Sequence, residues 1–169
     1  MLTRILAVVF AIVFWSAPAD AAKIGTVDYG RAIQEIDEGK AAQQRLDTMY
    51  AGEKAKIEQL EAELNSLAQE YESKRAILSD TARAEYEQRL TQKQYEFQQA
   101  YAQADYEMQV AYFSAMEQLM SGLQTVAEDI GREGSYDLIL EVSQGMVLYS
   151  SGADLTDTVI QRYNAKSAP

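Results

Sequence analysis

The chain has 169 residues, no cysteine, no histidine and a formal net charge of −11. The two absences exclude Ser-His-Asp and Cys-His catalysis, the usual zinc sites and disulfide stapling. The charge opposes bulk binding to nucleic acid or anionic lipid, while a 47% apolar content is too high for a disordered chain.

Met1 to Arg4 precede an apolar run from Ile5 to Trp15, then Pro18 and the small-x-small end Ala19-Asp20-Ala21. This pattern predicts a secretory signal peptide, residues 1–21, cleaved after Ala21. The run is roughly half the ~20 residues that span a bilayer, which argues against an uncleaved anchor. Arg4 and Asp20 cancel, so the mature chain, 22–169, keeps the whole negative excess.

Lys23 to Asp28, with β-branched Ile24 and Val27, predicts a strand. Tyr29 to Asp37 predicts a short helix with Ile33 and Ile36 on one face, and Glu38-Gly39 offers a joint. A seam follows at Leu46, Tyr50, Glu53, Ile57, Leu60, Leu64, Leu67, Tyr71, Lys74 and Leu78, in alternating steps of four and three. That is heptad spacing, so a helix is expected over about 40–78, on the order of 60 Å long. Ser79-Asp80-Thr81 breaks it and supplies N-cap side chains. A second seam runs Tyr86, Leu90, Lys93, Phe97, Tyr101, Ala104, Met108, Ala111, Ala115, Leu119, Leu123, Val126 and Ile130. This predicts a helix over about 81–132, on the order of 75 Å, stopped by Gly131 and Gly134. Being longer than the first, its last turns should run alongside something else. Tyr136 to Val142 and Met146 to Tyr149, around Ser143-Gln144-Gly145, predict a β-hairpin. Asp154 to Asp157 should cap a last helix with Leu155, Val159, Ile160 and Tyr163 on one face.

The expected fold class is therefore α+β. A small sheet body (22–38 and 133–169) holds one N-terminal strand plus a C-terminal hairpin. A long antiparallel two-helix coiled-coil arm (about 39–132, tip about 78–82) projects from it. Three short strands bury too little to stand alone, so identical chains are expected to assemble. The residues assigned to assembly are Ile24, Val27, Phe113, Met116, Met120, Leu138, Leu140, Val147 and Tyr149.

An arm makes surface and reach and encloses no pocket, which points to holding something. Polar Glu53, Lys74 and Lys93 in the seam serve register control or snorkelling, or else leave the arm loose enough to bend to its cargo, with Gly52 softening it further. A second apolar stripe, Tyr95, Ala102, Tyr106, Phe113, Met116 and Met120, is expected on a face beside the seam. Phe113, Met116 and Met120, nearest the body, fit packing against other subunits. Tyr95 and Tyr106, farther out, are the foremost candidates for contact with a bound chain, and Tyr86 and Met108, both on the seam, are weaker ones. Tyrosine suits adaptable binding, with broad apolar area and little entropy to lose. The many carboxylates fit a solvated helical face and match no pocket or EF-hand motif. Lys74, Arg75 and Arg83 near the tip, with Arg89 and Lys93 beyond, are either ordinary surface charge or a local attraction for anionic groups.

Lys23-Ile-Gly-Thr-Val-Asp28, Gly39-Lys40, Leu78-Ser-Asp80, Val126-Ala127, Gly134-Ser-Tyr-Asp-Leu-Ile-Leu140, Val147-Leu-Tyr149 and Asp154-Leu-Thr-Asp157 with Val159-Ile160 occur in this order. Together they resemble the Skp/OmpH family of periplasmic chaperones over essentially the whole mature chain. The resemblance implies a homotrimer with a shared β-barrel body and three arms around a cavity. It implies an ATP-independent holdase, not an enzyme and without cofactors, that binds unfolded outer-membrane β-barrel proteins in the periplasm. Membrane contact would be at most peripheral, through the arm tips. The family's best-known member is strongly basic and this chain is acidic, so hydrophobic and aromatic contact is expected to carry more of the binding. The competing expectation is a structural spacer of the cell envelope with one fixed partner.

Overall fold

The computed structural model describes residues 22–143, 145 and 147–167. The expected signal peptide, Gln144 and Met146 lie outside the described residues. Strand β1 (Ile24–Val27) is followed by helices α1 (Tyr29–Glu35), α2 (Asp37–Lys74) and α3 (Asp80–Glu133). Strands β2 (Leu138–Glu141) and β3 (Ala153–Asp154) and helix α4 (Thr156–Ser167) complete the order.

Local chemistry sets the breaks. Asp28 caps α1, its carboxylate accepting from the Arg31 amide at 2.8 Å. Ile36 is extended, with ψ 147, so α1 and α2 meet at a corner. There Gly39 passes so close to α1 that a Cβ would stand 1.8 Å from the Ile33 carbonyl oxygen. The Ser79 hydroxyl accepts from the Ala82 amide at 3.3 Å and starts α3, as its position in the sequence predicts.

Helices α2 and α3 have 38 and 54 residues. Tyr71 donates to Glu87 and Tyr86 to Glu70, both at 2.7 Å, and Lys93 donates to Glu63 at 2.9 Å. Partners recede from the turn on both helices, so the helices run in opposite chain directions along these contacts. The heptad seam is visible in burial. Leu67, Tyr71 and Ala104 are buried and most other seam positions half-buried, while Tyr50, Lys74 and Tyr101 are exposed. A two-helix seam is thin, and this one is polar where Glu53, Lys74 and Lys93 interrupt it.

The sheet departs from the expected hairpin. Its order is β2-β1-β3, and both outer strands run parallel to β1. Ile24 to Val27 register with Leu138 to Glu141, and Gly25 and Thr26 with Ala153 and Asp154. The physical reason is the crossover. Parallel neighbours need a long connection, and the whole helical arm supplies it between β1 and β2. The chain after β2 then passes to the other edge of β1. The second strand expected at Met146–Tyr149 is absent from the described residues of that segment. Val147 to Ser150 are irregular, and the Leu155 amide donates to the Thr26 carbonyl at 2.8 Å just beyond β3. Propensity marks Val147 and Tyr149 as strand formers, but the open edge of β1 is filled by Ala153-Asp154.

The core lies at the arm's base. Val27, Ala32, Ile36, Ala42, Leu119, Leu123, Val126, Ala127, Ile130, Leu155, Val159 and Tyr163 form one buried cluster. The last turns of α3 thus pack against α4, α1 and β1, which is what its extra length is for. Tyr163 ties the helices together. Its hydroxyl donates to Glu38 at 2.6 Å, and its ring lies over Gly122, where a Cβ would stand 2.7 Å from it.

Burial first, and the Glu38 carboxylate second, push the Tyr163 phenol above its ordinary value. The unfolded chain therefore releases this proton at a lower pH than the fold does. The stabilisation is complete below about pH 10 and is lost as pH rises beyond it. Urea midpoints measured from pH 8 to 11.5 should fall more steeply for the wild type than for Tyr163→Phe. The variant should also lose about 1 kcal/mol at neutral pH. Identical alkaline slopes would contradict this role for Tyr163.

Candidate functional site

The arm presents two kinds of surface. The first is aromatic and lies along α3. Tyr95, Tyr106 and Phe113 are 59%, 64% and 68% exposed. Each stands two residues from a seam position on either side: Lys93 and Phe97, Ala104 and Met108, Ala111 and Ala115. Two residues correspond to about 200° around a helix. Tyr95, Tyr106 and Phe113 therefore face away from the seam, a correction for these three to the expectation of a face beside it; Ala102, Met116 and Met120 each stand one residue from a seam position and lie beside it. Opposite the seam, no helix among the described residues covers the three aromatic side chains. The Tyr95 hydroxyl accepts from Gln99 at 2.7 Å, which steadies the ring and leaves its faces free.

The stripe is wider than its spacing suggested. Val110 and Tyr112 are also exposed, and Tyr112 meets Phe113 edge-on at 5.9 Å between centroids. The signal for Tyr112 was its aromatic identity beside Phe113, at a position outside both stripes. Of the two weaker candidates, Tyr86 and Met108 are half-buried. Tyr86 stacks on Tyr71 at 5.7 Å, with the Arg89 guanidinium 5.5 Å from its ring centre. Its role in the arm is visibly structural.

The second surface is a cleft of about 400 Å³ between the helices, part-way along the arm. Tyr50, Ile57, Tyr101 and Met108 give it apolar walls, Ala104 lies at its back, and Glu53, Glu58 and Asp105 supply carboxylates. It exists because the small Ala104 and the acidic Glu53 share a layer that a larger apolar pair would fill. Tyr50 and Tyr101, placed on the seam by spacing, turn outward and are 59% and 61% exposed.

Most cations along the outer arm are locally matched. Lys93 pairs with Glu63 and Glu96, Lys74 with Glu70, Arg75 with Glu72, and Arg83 with Asp80. Hydrogen bonds from Gln59 and Lys93 hold Glu63 below the usual carboxylate range. Those from Lys74 and Tyr86 do the same for Glu70. The tip cations are thus not a bare basic patch.

The residues assigned to assembly divide. Val27 is 1% exposed and spent in the chain's own core, because the outer face of β1's last residue is covered by helix. It has no surface to offer another subunit. Ile24, Leu138, Phe113 and Tyr149 are exposed, and Met116, Met120, Leu140 and Val147 are half-buried. Among the described residues no group of three or more His, Cys, Asp or Glu side chains could hold a metal ion. No helix among them is long and apolar enough to cross a membrane.

The family model described as outer membrane protein (OmpH-like) matches residues 23–163. No curated protein matches the chain. A crystal structure of an OmpH-like protein from Caulobacter crescentus CB15, assigned there as a candidate outer membrane chaperone, superposes with a TM-score of 0.77. The two chains are 19% identical, and the match covers 89% of this chain and 88% of that one. At that identity the likeness concerns the fold.

Proposed function

Because the chain belongs to the OmpH-like family, we propose that it is a chaperone of the periplasm that holds unfolded outer-membrane β-barrel proteins without ATP. Its signal peptide is removed after Ala21, and identical chains, three in all, join through the edges of their small sheets. The antiparallel arms then surround the bound chain. The observation that carries this reading is the exposed aromatic stripe of α3, which no element among the described residues covers. Exposed apolar patches on a chain of this charge mark an interaction surface. Aromatic faces suit unfolded chains, because they gain area with little entropy lost and do not demand one sequence. Three arms acting together turn weak contacts into useful retention. The negative charge keeps such a surface soluble.

Changing Tyr95 and Tyr106 together to Ser tests this directly. Both are exposed and bear no part of the core. The variant should keep its assembly state and thermal midpoint while its affinity for a urea-unfolded outer-membrane barrel protein falls roughly tenfold. Fluorescence titration of labelled client against both proteins makes the comparison. Unchanged affinity would remove the stripe from the binding surface.

A further inference from the structure

The arm cleft differs from the stripe in carrying charge as well as apolar area. We propose that it is a subsite for a basic segment of an unfolded chain. One aromatic or long aliphatic side chain enters between Tyr50 and Tyr101, and a neighbouring lysine or arginine meets the carboxylates at the rim. This rests on the chaperone reading and names the chemistry of what is held.

The cleft, about 400 Å³, has room for a large side chain. Ile57 and Met108 line it, and two exposed tyrosines flank it. Its charge selects the neighbour. Glu53, Glu58 and Asp105 border it, with only Lys54 as a cation among the lining residues. Glu58 pairs with Lys54 at 3.7 Å, and Glu53, its side chain 19% exposed, is held by Lys56 at 2.6 Å. Asp105 accepts only from the Gln109 amide, at 2.8 Å, and forms no ion pair among the described residues. An arriving cation therefore finds one carboxylate without a cation and two that are each paired with a lysine. The net charge of −11 favours the same sign of ligand at longer range. An acidic segment would meet repulsion at both distances.

Two fifteen-residue peptides make the test, alike in leucine and tryptophan content, one bearing four lysines and the other four glutamates. Their binding to the purified protein is followed by fluorescence anisotropy. The lysine peptide should bind about tenfold tighter at low salt, and the preference should largely vanish near 0.5 M sodium chloride, about where screening confines charge effects to contact. Asp105→Lys should reduce the preference several-fold. Tyr50→Ser with Tyr101→Ser should weaken the lysine peptide by roughly tenfold, with helix content and assembly state unchanged. Equal binding, or a preference for glutamate, overturns the proposal. A lysine preference unaltered by both variants also overturns it, since bulk charge would then be the cause. Aggregation of an unfolded barrel protein is measured in parallel. Suppression without lysine preference rejects the subsite alone, and lysine preference lost in both variants but without suppression supports the subsite and rejects the holdase role.

Discussion

Gly39→Ala is expected to destabilise the body by about 3 kcal/mol or more. The added Cβ would stand 1.8 Å from the Ile33 carbonyl oxygen and 2.9 Å from its carbon. Both are backbone atoms at the end of α1, so no rotamer change relieves the contact. The corner at Ile36 must open, and Ile36 is fully buried in the core. The matched control is Gly52→Ala in the same helix, where a Cβ meets nothing within 4 Å. Loss of an interior helical glycine there should add about 0.5–1 kcal/mol. Urea unfolding followed by circular dichroism, at one fixed protein concentration, measures both. Equal midpoints for the two variants would contradict the corner geometry.

Leu123→Ala should cost about 2–5 kcal/mol by the same measurement. Leu123 is 0% exposed and belongs to the cluster with Val27, Ile36 and Val159. It stands where α3 leaves the arm and becomes part of the body. The cost combines lost transfer energy with the cavity left between elements that cannot close without moving the arm. A loss under about 1 kcal/mol would mean that the site collapses, and that the arm is not rigidly seated.

These two variants concern the body, which was the part least legible in the sequence. The arm was plain, because seam steps of four and three, strictly alternating in the first helix, admit one reading over so long a stretch. Ser79 as an N-cap, the short helix after Asp28 and the buried face of α4 followed from equally local rules. The sheet did not. Tyr136 to Val142 and Met146 to Tyr149 have strand propensity and a turn between them, and local signals of that kind predict a hairpin. Pairing is decided by which edge of β1 is free, and that depends on the crossover through more than a hundred residues. Ala153-Asp154 has no strand signature and still forms β3, because Gly152 lets the chain approach Ile24. Val27 was misplaced for a related reason: an isolated strand residue carries no mark of whether helix or another subunit covers it.

At the candidate site, spacing found Tyr95 and Tyr106 but put their face beside the seam, when two-residue offsets on either side place it opposite. Tyr50 and Tyr101 carried the opposite error. Seam spacing assigned them to the interior, and the shared layer of Glu53 and Ala104 left too little apolar volume to hold them there. Resemblance to the family supplied the topology of the role, while the charge had to be taken from this chain's own residues.

The most direct measurement is light scattering of a urea-unfolded outer-membrane barrel protein, diluted into nucleotide-free buffer with and without the mature chain, 22–169. Suppression should saturate near one assembled trimer per client. Full aggregation in the presence of correctly assembled protein would contradict it, and would move an envelope spacer with one fixed partner to the front.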